Sequence, residues 1–252
     1  YLLVQAFTFV GFPLAFAWFR RLPSRGYAIA KSLGILFAGI VFWWGGILHL
    51  WPSGPAAILA GAGGVLAVGL LAMRRCWADL APWWHERRRF VLATELVFLA
   101  TYVLWGIVRA SQPQLQTAGG EKWMEIAFLN AVTRSPSMPP HDPWLSGYAI
   151  SYYYLGYLLV GMLTRLSSIA SSVAFNLGNA TWFALAAIGA YGIVYDLLDG
   201  KHIARPLLAP VMMLLAGNGE GALEVLHARG LLPMRFWTWL DIKHLNEAPQ
   251  AP

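Results

Sequence analysis

Apolar residues in this chain run in long blocks. They do not alternate as in half-buried strands, nor recur at the three-to-four spacing of a helix lying on a soluble core. The blocks cover residues 2–18, 28–50, 56–73, 90–108, 147–166 and 174–197, with a shorter one at 205–215. Several reach about 18 residues or more, enough for a helix to cross about 30 Å of hydrocarbon. The pattern predicts an all-α fold: a polytopic helical integral membrane protein with about six transmembrane helices. Short alternating segments of the β-barrel kind are not seen.

The connections carry the charge. Arg20, Arg21, Arg25 and Lys31 follow the first block without an acid among them. Arg74, Arg75 and Arg87 to Arg89 bracket a Trp-rich stretch, Trp77 to Trp84, that reads as a basic interfacial segment. The positive-inside rule assigns both groups to the cytoplasm and residues 109–146 to the outside. Residues 147–166 pose a parity question. If they span, then Lys201, His202 and Arg205 are stranded outside; if they lie in the outer interface or re-enter, those bases become cytoplasmic. The second arrangement is expected. Within the fourth block, Glu95 requires a partner, and an arginine among residues 87–89 is the expected one.

Composition agrees. Of 252 residues, 58% are hydrophobic and 12% charged, about half the usual supply of charge. Mean hydropathy is +0.54. Thirteen Trp and ten Tyr suit interfacial belts. The net charge of +6 is accounted for by the arginine loops, so nucleic acid is not an expected partner, and the lipid bilayer is. The one cysteine, Cys76, cannot form an internal disulfide. The chain divides into three regions: transmembrane helices over 1–108, an extracytoplasmic loop with a tyrosine-rich interfacial helix over 109–166, and further transmembrane helices over 167–252. The termini read as those of a piece of a longer chain, and the expected location is the plasma membrane.

Polar chemistry concentrates in residues 121–157, EKWMEIAFLNAVTRSPSMPPHDPWLSGYAISYYYLGY. The run MEIAFLNAV can form a short amphipathic helix on the membrane, with Glu121 and Glu125 one turn apart on one face. Pro136, Pro139, Pro140 and Pro143 break the chain after this helix and can return Asp142 to the glutamates. The expectation is one external cavity holding Glu121, Glu125 and Asp142, with Lys122 or Arg134 beside them and Tyr152 to Tyr154 in its wall. Walker, dinucleotide, HExxH and Gly-x-Ser-x-Gly motifs are absent, and no zinc-ligand spacing occurs.

This stretch resembles the archaeal and Chloroflexi membrane-protein family named for its tyrosine triplet, a domain of unknown function. The family pattern is similar to EKPMDxAFLNAxxRS, then PPxDPWLxG, then NYYYxGH. Matching positions are Glu121, Lys122, Met124, Asn130, Arg134, Pro139, Pro140, Asp142, Pro143, Trp144, Gly147, Tyr152, Tyr153, Tyr154 and Gly156. Departures are Glu125 for Asp, Ser151 for Asn and Tyr157 for His. Near the C-terminus, Leu245 to Pro249 resembles the family's I-N-E-F-P, which brings in Asn246 and Glu247.

The family in turn resembles, distantly, the C-type glycosyltransferases, polytopic enzymes that take sugar from a polyprenyl-phosphate donor. Their catalytic carboxylate lies in the first large extracytoplasmic loop, before interfacial helices and a proline-marked motif. The resemblance implies a sugar transferase with a lipid-linked sugar donor. Glu121, Glu125 and Asp142 are then the candidate catalytic acids. Lys122, Asn130, Arg134, Trp144, Tyr152, Tyr153, Tyr154, Asn246 and Glu247 are the candidate binding residues. Paired acids would permit Mg²⁺ or Mn²⁺. The residues themselves leave two other classes open, a transporter or channel and a structural subunit of a membrane complex.

Overall fold

A computed structural model describes residues 1–111, 113–115, 121–216, 219–242 and 245. Among the described residues, seven longer α-helices build the larger unit, Tyr1–Pro210. They are α1 (Leu2–Trp18), α2 (Tyr27–Ile47), α3 (Pro55–Met73), α4 (Leu80–Ser111), α5 (Lys122–Arg134), α6 (Leu155–Ser167) and α7 (Ser171–Leu197). Length and composition give at least three membrane spans: α2, α7, and the stretch Pro55–Ser111 that contains α3 and α4. The protein is an all-α, multi-pass integral membrane protein.

Helix starts and ends obey local chemistry. Pro55 occupies the first turn of α3, where a missing N–H costs nothing. A 3₁₀ turn, Arg74–Asp79, with Cys76 out of helical geometry, separates α3 from α4. The Trp-rich interfacial segment expected at 77–84 is largely the first turn of α4, continuous with the fourth apolar block. Its one proline, Pro82, lies where an early-turn proline does no harm.

Backbones approach closely where side chains are missing. A Cβ on Gly11 of α1 would lie 2.1 Å from the Ala30 carbonyl oxygen, and one on Gly34 of α2 would lie 2.0 Å from that of Phe7. Small residues at such crossings replace the hydrophobic drive that lipid cannot supply. One core cluster gathers Val4, Phe42, Ile58, Phe98, Leu158 and Ile188, and a second gathers Phe16, Tyr27, Met73, Trp83, Phe90 and Tyr195.

The second cluster marks what we call the arginine end. There Asp196 accepts from the Ser24 N–H (2.8 Å) and hydroxyl (2.6 Å), and Trp83 Nε1 donates to the Pro23 carbonyl (2.9 Å). Arg87 donates to the Tyr195 hydroxyl and the Gly200 carbonyl, both at 3.1 Å. The end of α7 therefore lies with the loops at 20–25 and 74–89. The bases after α7 share an end with the arginines, as parity asked.

Three expectations need correction. Lys31 is not a loop residue: it is fully buried on α2. The partner of Glu95 is Lys31, at 2.5 Å, with the Tyr27 hydroxyl donating at 2.8 Å; Arg87 turns instead to Glu86, Tyr195 and Gly200. The tyrosine triplet is not helical. The Tyr148 carbonyl and the Ile150 N–H are spent on an isolated bridge to residues 140–142, and the helix starts only at Leu155. With 13 residues, about 20 Å, α6 is too short to cross the hydrocarbon.

The smaller unit, Val211–Pro252, contains a π-helical turn Met212–Ala216, α9 (Glu220–Ala228) and α10 (Met234–Leu240), a short α8 (Leu208–Val211) preceding them. The final span expected at 205–215 is a short apolar helix, Arg205–Leu214, below spanning length. Within the smaller unit Trp237 is buried against His227, ring centroids 5.0 Å apart, and donates to the Leu232 carbonyl at 3.3 Å.

Candidate functional site

The opposite, tyrosine end is built on α5. Its amphipathic sequence buries Phe128, Leu129 and Val132 and leaves Glu121 exposed at the N-terminus. Phe128 is the aromatic hub. Trp144, Tyr152 and Tyr157 pack around it with centroids at 5.3, 5.6 and 5.5 Å. The second turn of α5 thus lies beside the tyrosines.

The loop after α5 is ordered by its own polar groups. Asp142 Oδ1 accepts from the N–H groups of Trp144 (2.8 Å) and Leu145 (2.9 Å). This is the Asx turn that short acidic side chains favour. Gly147 supplies the positive φ, +84°, that turns the chain back. The Asp142 N–H then donates to the Tyr148 carbonyl, and that of Ile150 to the Pro140 carbonyl. Met138 plugs the loop into α2, where a Cβ on Gly46 would lie 2.7 Å from its Cγ.

Arg165 of α6 closes this assembly. It donates to the carbonyls of Val132 (3.0 Å), Ser135 (2.8 Å) and Ser53. Two of these lie at the C-terminus of α5, where carbonyls lack helical partners, and the third in the α2–α3 turn. Sequence reasoning missed Arg165. A lone cation in an otherwise apolar block was the available signal.

The triplet divides. The Tyr152 and Tyr153 rings lie 3.9 Å apart, tilted by 31°, and the Tyr152 hydroxyl donates to that of Tyr153 at 2.6 Å. Tyr154 turns inward, accepting from Trp43 Nε1 at 2.7 Å. The Tyr152 hydroxyl is pushed up to about 12, first by its hydrogen bond to Tyr153, with Glu121 among the smaller causes. Tyr157 is also raised, first by burial, then by Glu125, Tyr153 and Glu121. Both glutamates therefore act on the tyrosine cluster.

Glu125 lines a small cavity of about 150 Å³ with Tyr157, Phe175, Asn179 and Trp182. Asn179 and Trp182 come from α7 and carry no motif of their own. Asn130 accepts a hydrogen bond from Ser171 (2.6 Å), joining α5 to α7. Lys122 and Arg134 stand in no ion pair among the described residues, and Arg134 is exposed. Asn246 and Glu247 lie outside the described residues. Among the described residues no group of three or more His, Cys, Asp or Glu side chains is placed to hold a metal ion.

Residues 37–244 match the model of a family described as an uncharacterized membrane protein, DUF2298. No curated protein and no solved structure matches the chain.

Proposed function

The chain belongs to the DUF2298 family of membrane proteins, and we propose that it transfers a sugar from a polyprenyl-phosphate donor at its tyrosine end. The observation that carries this reading is the placement of Glu125. It lines a cavity walled by Tyr157, Trp182 and Asn179, next to Glu121 and the Tyr152–Tyr153 pair. Aromatic faces with a carboxylate and an amide suit a sugar ring, which is apolar on its faces and hydroxylated at its edge.

In this reading Glu125 or Glu121 removes the proton from an acceptor hydroxyl. The freed oxygen attacks the anomeric carbon. The bond from that carbon to the donor phosphate breaks, and the lipid phosphate leaves with the electron pair. Lys122, in the first turn of α5 with Glu125 and unpaired among the described residues, meets the phosphate; Arg134, at the far end of α5 about 18 Å along the helix, lies away from it. Asp142 holds the loop as an Asx turn, and Trp144 and Tyr152 pack on Phe128, on the same helix as Glu125. About five spans, α1 to α4 and α7, with a plasma-membrane location and an external tyrosine end, complete the proposal.

A transporter is the second reading, favoured by the buried pair Lys31–Glu95. Purified protein in proteoliposomes, given a radiolabelled polyprenyl-phosphate sugar, separates the two. Transfer that falls about 10²- to 10⁴-fold in Glu125→Gln or Glu121→Gln supports the enzyme. Undiminished transfer in both variants removes the glutamates from the chemistry. Solute flux without turnover favours the transporter.

A further inference from the structure

At the arginine end, away from the tyrosine cluster, a groove of about 730 Å³ runs between α1 and the start of α4. Its walls include Phe9, Phe12, Trp77, Leu80 and Trp84. Phe9, Trp77 and Trp84 are all exposed on the bundle surface, so the groove opens sideways to the bilayer. Tryptophans of this kind settle at headgroup depth.

Cations crowd its mouth. Arg74 and Arg75 precede Trp77 with only Cys76 between, and Arg87 to Arg89 closely follow Trp84 and His85. Arg20 and Arg25 reach Asp79, between the lining residues Ala78 and Leu80, at 3.8 and 3.0 Å. The acids here are Asp79 and Glu86, and Glu86 is taken by Arg87 at 2.6 Å. Arg74, Arg75, Arg88 and Arg89 are exposed and form no ion pair among the described residues.

One turn inside the mouth the wall becomes polar. Thr8, 6% exposed, and Gln5 line the groove, and among the described residues the Thr8 hydroxyl and Gln5 Nε2 are buried without a partner. Phe12 lies level with the arginine end, 5.6 Å from both Tyr27 and Trp83. Thr8 is four residues, about 6 Å, further along α1. Hydrocarbon offers no acceptor at that depth. A glycerophospholipid with its phosphate at the rim places ester carbonyls there.

We propose that this groove binds an anionic diacyl phospholipid, its phosphate among the arginines, its ester oxygens at Thr8 and an acyl chain against Phe9 and Phe12. The site is separate from the proposed sugar-transfer site and does not depend on it. Charge sets the class, because a zwitterionic lipid gains much less from a rim of arginines.

Native mass spectrometry of the full chain, released from detergent with phosphatidylglycerol or phosphatidylcholine of the same chains, tests it. Phosphatidylglycerol is expected to be retained preferentially. Arg74→Gln and Arg75→Gln should each weaken retention about fivefold. Ala81→Trp, which fills the groove, should abolish it with charge unchanged. Thr8→Val, nearly isosteric, should weaken it and keep the preference for anionic headgroups; it carries the test if Ala81→Trp does not fold. Equal retention of the two lipids, or retention unmoved by both Ala81→Trp and Thr8→Val in folded protein, overturns the proposal. So does the same stabilisation by inorganic phosphate alone, which would mark an anion site without a lipid.

Discussion

Lys31 Nζ of α2 and Glu95 Oε1 of α4 stand 2.5 Å apart inside the bundle, the lysine side chain fully buried and the glutamate a quarter exposed. Tyr27 donates to the same carboxylate oxygen, and the Phe98 ring faces the ammonium at 5.2 Å. Removing one partner leaves an uncompensated charge in a medium without water, at a cost of about 3–5 kcal/mol, with the lower figure more apt because Glu95 is partly exposed. Lys31→Met should therefore lower the melting temperature in detergent more than the double change Lys31→Met with Glu95→Leu. A double variant less stable than the single one would show that the pair is not what holds these helices.

Asp142 separates structure from chemistry at the tyrosine end. Asp142→Asn keeps an oxygen to accept from Trp144 and Leu145 and should keep the loop. Asp142→Ala loses the turn, about 1 kcal/mol, and should raise hydrogen exchange at residues 142–150. If the proposed transfer activity survives Asp142→Asn and falls in Asp142→Ala, the carboxylate acts through the turn. Loss in both, with exchange unchanged in the asparagine variant, would give its charge a part in catalysis.

Arg165→Lys should not substitute well. One ammonium cannot reproduce the reach of the guanidinium fork to the carbonyls of Ser53, Val132 and Ser135. Each charged hydrogen bond lost costs about 1.5–3 kcal/mol. Limited proteolysis should cut near residues 135–140 faster in Arg165→Lys and fastest in Arg165→Met; equal rates in all three proteins would refute the brace.

Tyr152 should ionise near its raised value of about 12. In Tyr153→Phe, which removes the accepting hydroxyl, its ultraviolet titration should move back toward about 10. The folded protein holds this proton more tightly than the unfolded chain, so the contribution to stability is complete below about pH 10 and is lost as pH rises through about 12. A titration midpoint unchanged by Tyr153→Phe would remove the hydrogen bond as the cause.

Gly34→Val should fail to assemble. Its Cβ would stand 2.0 Å from the Phe7 carbonyl oxygen, and backbone cannot yield as a side chain can. Gly63→Ala, whose Cβ would meet nothing within 4 Å beyond its own helix among the described residues, should leave the melting temperature unchanged. Size-exclusion profiles of both proteins provide the check.

The membrane class and most helix limits were legible in the sequence. The expected 2–18 and 56–73 blocks became Leu2–Trp18 and Pro55–Met73, and MEIAFLNAV sits within Lys122–Arg134. These depend on transfer free energy and helix propensity, which add up residue by residue along the chain. The tertiary structure decided which groups meet. Lys31 reads as one more base of an arginine-rich loop until α4 brings Glu95 to it. The tyrosine triplet reads as helix until the 140–150 bridge takes its neighbours' backbone groups. Arg165 has no local partner; its three carbonyl acceptors lie 30 to 112 residues away in the chain. Glu125 gains Asn179 and Trp182 only because α7 packs beside α5. A charge or an unpaired carbonyl is satisfied by whatever stands within about 3 Å of it in space, and one-dimensional pattern carries no record of that distance.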